Sequence, residues 1–474
     1  MKRVVVTGMA GVTAFGQDWP SVRARLQAGR NAVVNMPEWA IYDGLNTRLA
    51  APIPDFTLPA HYPRKKTRAM GRVSALATVA TELALAQAGL LDNPALTDGR
   101  TGIAYGSSTG STDPIRAFGV MLNDKSTASI TATTYVQMMP HTAAVNTGLF
   151  FGLRGRVIPT SSACTSGSQG IGYAYEAIKH GYQTLMVAGG AEELCPSEAV
   201  VFDTLFATSQ MNDNPELAPR PFDRQRDGLV IGEGAGTLVL EELEHAQARG
   251  ATILAELVGF ATNCDAAHVT QPQQETMQLC MEMALAQAGL AAADIGYISA
   301  HGTATERGDI AESHATAAIF GDRTHLVPQE LLRPHPGGLW RDRGLAGAGD
   351  DARGVVCPHH QPGRAGPGLR PARSRGGQRP YAGGGVPDVQ QLRLRRHQHL
   401  PHLQTLVLSV GALPGRAPVQ AGFSLDELIC PPFFFGRHHV FVIWFFLFRR
   451  AAACPAGRSV IQLVVGAGRS RHGR

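Results

Sequence analysis

Short apolar runs alternate with longer amphipathic stretches over the first two thirds of the chain, and this pattern predicts strands alternating with helices. The predicted strands are residues 4–6, the first part of 102–110, 155–158, 183–190, 237–240, 253–260 and 295–300. The predicted helices are residues 69–88, 164–180, 242–249 and 275–288. Because the strand–helix–strand order favours parallel pairing, we expect an α/β fold with helices on both faces of the sheet.

A run of small residues at 160–168 connects the predicted strand 155–158 to the predicted helix 164–180 and contains one cysteine, Cys164. We predict that Cys164 lies in the first helical turn, where unpaired backbone N–H groups and the helix dipole favour the nucleophilic thiolate. The flanking serine, alanine and glycine side chains leave the sulfur open to approach. On this stretch alone, a buried structural thiol is the commoner explanation of a lone cysteine.

Two other stretches contain candidate functional residues. The predicted strand 295–300 ends at His301, and active-site groups occupy the carboxyl ends of strands in open α/β sheets. A simple turn histidine fits that position equally well. The basic cluster of Lys65, Lys66 and Arg68, followed by Arg72, comes at the start of the predicted helix 69–88. This cluster is either a solvated helix start or a docking site for an acidic partner.

The composition narrows the class of protein. The chain has 474 residues, of which 44% are apolar and 17% charged, which is typical of a soluble protein with a large core. No apolar run reaches the roughly 18 residues of a membrane span, and the N-terminus does not resemble a signal peptide. The 7 cysteines include no C-x-x-C pair, so no metal site or disulfide framework is indicated. We therefore predict a cytoplasmic protein with reduced thiols.

Four stretches together resemble the β-ketoacyl-acyl carrier protein synthases, the thiolase-like condensing enzymes of fatty acid and polyketide synthesis. They are V-V-V-T-G-M at residues 4–9, S-S-A-C-T-S-G at 161–167, R-P-F-D with R-D-G and G-E-G-A-G at 220–236, and H-G-T-A-T-E-R-G-D-I-A-E at 301–312. Their order and spacing match the family over residues 1 to about 323. The details look closest to ketosynthases of aryl polyene clusters. The resemblance implies a layered α/β fold of two similar βα halves.

The resemblance also implies a role for individual residues. Cys164 would take an acyl group from a carrier-protein thioester, and its backbone N–H would help to stabilise the oxyanion. Malonyl carrier protein would then lose carbon dioxide, and the resulting enolate would attack the Cys164 thioester. His301 would donate an N–H to the enolate oxygen, and a second histidine completes the pair in the family. Asp309 and Glu312 would order the histidine region, and Thr109 would line the acyl pocket near the dimer contact.

The partners implied by the resemblance are acyl carrier protein, in its acyl and malonyl forms, and a second subunit. The enzyme would be a homodimer or a heterodimer with a related chain. Lys65, Lys66 and Arg68 match the carrier-docking face of the family, which favours the docking interpretation of this cluster. No cofactor, metal, nucleic acid or membrane is implied.

Three alternatives remain open. The first is a non-catalytic partner like the chain-length factors that pair with ketosynthases, but such partners generally lack the cysteine that Cys164 supplies. The second is a coenzyme A-dependent thiolase, which the missing second cysteine motif and the intact S-S-A-C-T-S-G context argue against. The third is a chain that does not fold into an active enzyme.

The sequence changes character after Arg323. Arginine, glycine, proline and histidine dominate, hydrophobic periodicity largely disappears, and no lysine, asparagine or methionine occurs from 325 to 474. The family should show a lysine, a second histidine after glycine, and a G-F-G-G loop in this part of the chain, and none is present. We therefore expect a disrupted second half with poor order or adventitious packing.

A shift of the reading frame accounts for this change. Back-translated and read from the second base of each codon, residues 324–340 permit P-I-S-S-L-K-S-Y-F-G-H-T-L-G-A-C-G. In the same frame, residues 389–399 permit S-N-N-F-A-F-G-G-I-N-T. These strings contain the missing lysine, histidine and glycine-rich loop in family order. The direction of the frame shift corresponds to one inserted base, or two deleted bases, near the codons for residues 323–325. The shift predicts that the protein product is impaired.

The frame hypothesis divides the chain into four parts. Residues 1–253 form the N-terminal thiolase-like half that carries the nucleophile, and residues 254–323 begin the C-terminal half. Residues 324–405 are the out-of-frame remainder of that half. Residues 406–474 are a non-native read-through tail.

Overall fold

The computed structural model describes residues 1–266 and 272–321, together with the backbone of three later strands. The helices are α1 (Trp19–Gln27), α2 (Arg64–Thr67), α3 (Arg72–Gln87), α4 (Asp113–Asp124), α5 (Ala132–Met138), α6 (Thr142–Phe151), α7 (Ser166–Lys179), α8 (Pro196–Asp203), α9 (Leu243–Ala248), α10 (Gln274–Ala288) and α11 (Glu306–Phe320). The strands are β1 (Val4–Thr13), β2 (Val34–Asn35), β3 (Leu49–Ala51), β4 (Thr101–Gly106), β5 (Val157–Thr160), β6 (Leu185–Glu192), β7 (Ile231–Gly232), β8 (Gly234–Glu242), β9 (Ala255–Cys264), β10 (Ile295–Ala300), β11 (Leu326–Pro328), β12 (Val442–Arg450) and β13 (Ile461–Gly468).

Each predicted strand and helix of the first 323 residues is present, and the differences lie at the ends. The first strand is longer than predicted, the predicted helix 69–88 is α3, which begins at Arg72, and the short helix α2 before it was not predicted. The predicted helix 164–180 begins later, at Ser166, so Cys164 precedes the helix and does not lie in its first turn. Tertiary contacts extend or shorten elements in ways that local periodicity does not record.

The main sheet has ten strands in the order β11-β10-β13-β12-β9-β1-β8-β6-β4-β5, and a small sheet contains β2, β3 and β7. In the N-terminal half, β4 is parallel to β5 and β6, whereas β8 is antiparallel to β6 and β1. In the other half, β10 is parallel to β11 and β13, whereas β12 is antiparallel to β13 and β9. The two halves therefore repeat one pattern of strand directions on either side of the β1–β9 pair.

The chain order of the inner strands differs between the halves. In the N-terminal half the earlier strand, β6, lies beside β4, and the later one, β8, lies beside β1. In the other half the later strand, β13, lies beside β10, and the earlier one, β12, lies beside β9. The second half thus reproduces the strand directions of the first with its two inner strands exchanged.

The region after Arg323 contains more regular backbone than the sequence analysis expected. Its three strands, β11, β12 and β13, pair within the main sheet. Apolar β-rich runs such as 442–448 complete a sheet that would otherwise leave the long strand β9 unpaired on one side. The rest of the proposed out-of-frame remainder and read-through tail lies outside the described residues.

Helices cover both faces of the N-terminal half-sheet, as predicted. On β4, Ile103 and Tyr105 pack into the core that contains α3, whereas Ala104 between them packs into the core that contains α7. Close approach of α3 to β1 requires glycine, since a Cβ at Gly8 would lie 2.2 Å from Ala84 O. Gly8 therefore sets how closely α3 packs against β1.

A buried ion pair holds the C-terminal end of β8 in place. The Glu241 side chain is 0% exposed, and it accepts from Arg249 Nε at 2.9 Å, from Arg249 Nη2 and from Thr7 Oγ1, with His245 Nδ1 at 2.8 Å. Burial raises the pKa of the Glu241 carboxyl, but the bonds from Arg249, Thr7 and His245 outweigh burial and leave the pKa below its usual range. This stabilisation is therefore present at neutral pH and is lost as the pH falls through that lowered pKa.

We expect Arg249→Met to destabilise the fold by about 3 kcal/mol or more, because it leaves the buried Glu241 carboxylate without its cation. Urea unfolding followed by circular dichroism would measure the loss. Arg116→Met is the matched control, since the Arg116 and Asp113 side chains are 80% and 92% exposed and surface pairs contribute little. Equal losses in the two variants would contradict the assignment of a structural role to Glu241.

Candidate active site

Cys164 lies in a tight turn between β5 and α7 that side-chain hydrogen bonds hold in place. Ser166 Oγ accepts from Ser162 N at 2.8 Å and donates to Ala163 O at 2.7 Å. Thr165 Oγ1 donates to Ser162 O at 2.8 Å. The turn forces Ala163 to a φ of 53°, a left-handed conformation that costs energy for any residue but glycine. Cys164 is half-buried in this turn, directly ahead of the helix start.

The loop after β4 packs against the turn that contains Cys164. Ser107 N donates to Thr160 O at 3.2 Å, which extends the β4–β5 pairing by one bond. Ser161 Oγ donates to Ser108 O at 3.3 Å. The structure therefore brings the loop that carries Thr109 next to the turn that carries Cys164.

Two buried glutamates bind this loop, and the sequence analysis identified neither. Glu192 Oε1 lies 2.9 Å from both Ser107 Oγ and Thr109 Oγ1, and Ser108 N donates to the other oxygen of the same carboxyl. Glu198 Oε1 lies 2.6 Å from the same Thr109 hydroxyl. Burial raises the pKa of Glu192 to about 7 and raises the pKa of Glu198 well above its usual range. The sequence feature that could have identified them is the run E-E-L-C-P-S-E at residues 192–198, which places glutamates at the end of an apolar strand and in the helix that follows.

His301 follows β10 and is held through its backbone. His301 N donates to Glu312 Oε1 at 2.7 Å, and Gly302 N donates to Glu312 Oε2 at 2.9 Å, so one carboxyl of α11 binds two successive amides. Burial lowers the pKa of the His301 imidazole to about 4 and raises the pKa of Glu312 to about 7. At neutral pH the imidazole is therefore uncharged and retains one N–H donor.

Asp309 connects the histidine loop to the R-P-F-D segment of the N-terminal half. Its carboxyl accepts from Ala304 N at 3.1 Å and from Phe222 N at 2.6 Å, and Arg226 Nε lies 3.3 Å from it. Burial raises the pKa of Asp309 to about 6, against the opposing effect of these partners. The motif residues 220–226 and 301–312 thus form one hydrogen-bonded unit across the two halves.

The basic cluster lies on the surface beside the end of α6. Lys65, Lys66 and Arg68 are exposed, and the ion pairs of the described residues do not include them. Lys66 Nζ donates to Phe150 O at 2.6 Å. Arg72 differs from this cluster, because it pairs with the buried carboxyl of Glu233 through two bonds of 2.7 Å. Arg72 therefore ties α3 to the G-E-G-A-G motif and does not extend the basic surface.

Two kinds of feature are absent from the described part of the chain. No helix there is both long enough and apolar enough to cross a membrane. The same residues contain no group of three or more histidine, cysteine, aspartate or glutamate side chains placed to hold a metal ion.

Comparison with known families identifies the fold and its motifs. The model of the β-ketoacyl synthase N-terminal domain matches residues 1–246, and the model of the β-ketoacyl synthase C-terminal domain matches residues 254–332. The chain belongs to the β-ketoacyl synthase family. The fold is accordingly thiolase-like, as the sequence resemblance implied. The C-terminal match ends shortly after Arg323, where the composition changes.

Known members of the family are similar over most of their own length. The 3-oxoacyl-acyl-carrier-protein synthase 2 of Vibrio harveyi is 38% identical over 329 residues, which cover 68% of this chain and 78% of the relative. A crystal structure of a β-ketoacyl synthase from Burkholderia phymatum is 62% identical and superposes with a TM-score of 0.68, covering 69% of this chain and 80% of that one. A further solved structure is of a type II PKS acyl-carrier protein in complex with its ketosynthase bound to the hexaketide. A chain of that structure is 29% identical and superposes with a TM-score of 0.60, covering 69% of this chain and 80% of that one.

Proposed function

We propose that this chain is a carrier-protein-dependent β-ketoacyl synthase of fatty acid or polyketide synthesis in which Cys164 accepts the acyl group. The observation that supports this most is the turn at residues 162–166. Hydrogen bonds hold this turn, and it places the half-buried Cys164 directly before α7. The thiolate attacks the thioester carbonyl, a new C–S bond forms, and the carrier leaves as its thiol. The adjacent helix N-terminus favours the thiolate.

The condensation step assigns a role to His301. Malonyl carrier protein loses carbon dioxide, the enolate carbon attacks the Cys164 thioester, and Cys164 leaves as thiolate. A neutral imidazole suits this step, because it donates an N–H to the enolate oxygen without introducing a charge that must be neutralised. The lowered pKa of about 4 keeps His301 neutral at physiological pH. Glu312 positions the His301 backbone, and Asp309 positions the loop that follows it.

Acyl transfer is the direct test. The full chain is incubated with acyl-loaded carrier protein, digested, and each cysteine peptide is weighed by mass spectrometry. We expect one acyl group on Cys164 and none on Cys195, Cys264 or Cys280. Acylation spread evenly over these cysteines would contradict the proposed nucleophile.

We further propose that Lys65, Lys66 and Arg68 dock the acidic surface of the carrier protein. They are exposed side chains of one short helix and its end, and no carboxylate of the described residues pairs with them. The solved complex of a ketosynthase relative with an acyl-carrier protein supports a carrier as the partner. Added salt should weaken this binding, since screening reduces attraction between exposed charges.

Replacing Lys65, Lys66 and Arg68 together with glutamate should weaken carrier binding at least about 10-fold, because three attractive contacts become repulsive. Titration with the cognate carrier protein measures the affinity. The control reverses Lys2, Arg100 and Lys179, which lie where the parallel strands begin, at the edge opposite the Cys164 turn. An unchanged affinity in the first variant, or an equal loss in both, would count against the docking surface.

We also propose that a second copy, or a related subunit, pairs with β5. This strand is the outer strand of the main sheet, and Val157 on it and Leu149 on the neighbouring α6 are 46% and 71% exposed. An unpaired strand edge with apolar neighbours is a common dimer contact. Sedimentation should give a dimer mass, and Val157→Asp should shift it toward the monomer. A monomeric parent chain would contradict the proposal.

A further inference from the structure

The Thr109 hydroxyl joins two buried carboxyls, and one hydrogen cannot satisfy both. Its Oγ1 lies 2.9 Å from Glu192 Oε1 and 2.6 Å from Glu198 Oε1. A hydroxyl donates a single hydrogen, so two ionised carboxylates at these distances would leave one oxygen–oxygen contact without a proton. One of the two carboxyls must therefore carry a proton.

Glu198 is the protonated partner. Glu192 has further donors that favour its charge, namely Ser107 Oγ at 2.9 Å, Ser108 N and Thr109 N at 3.4 Å. Glu198 has only the Thr109 hydroxyl, and its residue is 4% exposed. Burial raises the pKa of Glu192 to about 7 and raises the pKa of Glu198 well above its usual range, which also favours a proton on Glu198. Glu198 Oε1–H then donates to Thr109 Oγ1, which donates its own hydrogen to Glu192.

This arrangement leaves Glu198 Oε2 as a carbonyl-type acceptor with no donor. Among the described residues that oxygen is buried and has no hydrogen-bond partner. Leaving a buried acceptor unsatisfied is costly, and native structures rarely do so without a functional reason. A ligand hydroxyl placed beside this oxygen would supply the donor that the described residues do not.

We propose that Glu198 Oε2 accepts a hydrogen bond from a hydroxyl group on the acyl chain, so that this synthase selects hydroxyl-bearing acyl groups. The inference rests on the proposed function, in which Cys164 carries the acyl chain, and on the expectation from the family resemblance that Thr109 lines the acyl pocket. The loop that carries Thr109 is bonded to the nucleophile turn through Ser107 and Ser108. A purely alkyl chain would leave the acceptor unsatisfied, and a hydroxyl at the right chain length would satisfy it.

Competition between two acyl groups tests the proposal. Carrier protein is loaded with acyl chains that end in a hydroxyl, or with chains of equal length that end in a methyl group, over a series of lengths. The full chain receives both, and mass spectrometry of the Cys164 peptide gives their ratio. We expect the hydroxyl-ended chain to be preferred on the order of 10-fold at one length or a narrow range of lengths.

Two substitutions separate hydrogen bonding from packing. Glu198→Gln should keep the preference, because its amide N–H can face Thr109 while its carbonyl oxygen remains the acceptor. Glu198→Met should abolish the preference and still transfer the methyl-ended chain. Thermal unfolding of both variants shows whether they fold, and the preference of the parent chain stands as a test without them.

The outcomes distinguish this inference from the proposed function. Equal transfer of both acyl groups to Cys164 at every length overturns the inference and leaves the proposed function intact. A preference that survives in Glu198→Met also overturns it. Failure of every acyl group to reach Cys164 overturns the proposed function and this inference with it.

Discussion

Cys164→Ala should reduce acyl transfer from carrier protein on the order of 10⁶-fold, to the rate of uncatalysed exchange. Cys164 has the only thiol of the turn at residues 161–166, and the hydroxyls of Ser162 and Ser166 donate hydrogen bonds to Gln169 Oε1 and Ala163 O. Loss of a catalytic nucleophile typically costs about this much. The measurement is the rate at which acylated enzyme appears, followed by intact mass.

Cys195 provides a matched control for this experiment. It is also half-buried and caps the N-terminus of α8, so it shares the helix-end position of Cys164 but lies outside the hydrogen-bonded turn at residues 162–166. Cys195→Ala should leave acyl transfer unchanged, and iodoacetamide should modify Cys164 far faster than Cys195 in the native protein. If Cys195→Ala loses as much transfer as Cys164→Ala, the assignment of Cys164 as the nucleophile is wrong.

The sequence pointed to the segment around Cys164 as a candidate site but did not predict its conformation. The predicted helix started at Cys164 because small residues with apolar spacing continue the helical pattern backwards. In the structure the hydroxyls of Ser162, Thr165 and Ser166 bind nearby backbone groups, and these local bonds compete with the helix. Propensity could not reveal the left-handed Ala163, since its cost is offset by bonds that exist only in the folded turn.

Polar contacts between residues far apart in the chain could not be predicted. Arg72 was grouped with the basic cluster by its position in the chain, yet its partner, Glu233, is 161 residues away. Glu198 and Thr109 are likewise 89 residues apart, and only the fold places their side chains together. Residue type identifies groups that need partners when buried, but it does not say which partner each one finds.

The family motif singled out more residues of the histidine region than periodicity did. A histidine at a strand end was ambiguous, whereas the complete H-G-T-A-T-E-R-G-D-I-A-E motif assigned roles to Asp309 and Glu312 as well. In the structure those two carboxyls bind the backbone of the His301–Ala304 loop, which is a geometry that can order it. Whether they affect condensation stays a prediction.

The chain as printed should lack condensing activity even where Cys164 still accepts acyl groups. Acyl transfer needs mainly the thiolate and an oxyanion hole, which the first half can supply. Condensation also needs enolate stabilisation, and the family's second histidine, its neighbouring lysine and the G-F-G-G loop are missing. Removing one preorganised donor typically costs roughly 100- to 1000-fold. Loss of the family's core strands in the second half should cost more.

The exchanged order of β12 and β13 bears on the hypothesis that the reading frame has shifted. In the N-terminal half β6, beside β4, precedes β8, beside β1. In the other half the corresponding strands occur in the opposite order, because β13, beside β10, follows β12, beside β9. Two similar halves of one fold should keep the same order, because each connection is constrained by the helices it must include. We expect the alternative frame, which restores the family motifs, to supply inner strands in the order of the first half.

Deleting one base near codon 324 should therefore restore malonyl-dependent chain extension. The printed and frame-restored chains are expressed side by side and given acyl and malonyl carrier protein, and the β-ketoacyl product is measured. We expect product only from the frame-restored chain, and Cys164→Ala in that chain should remove it, which confirms that condensation passes through the same nucleophile. If the printed chain forms product as fast as the frame-restored one, the frame hypothesis is wrong, because residues 324–474 would then supply the missing donors themselves.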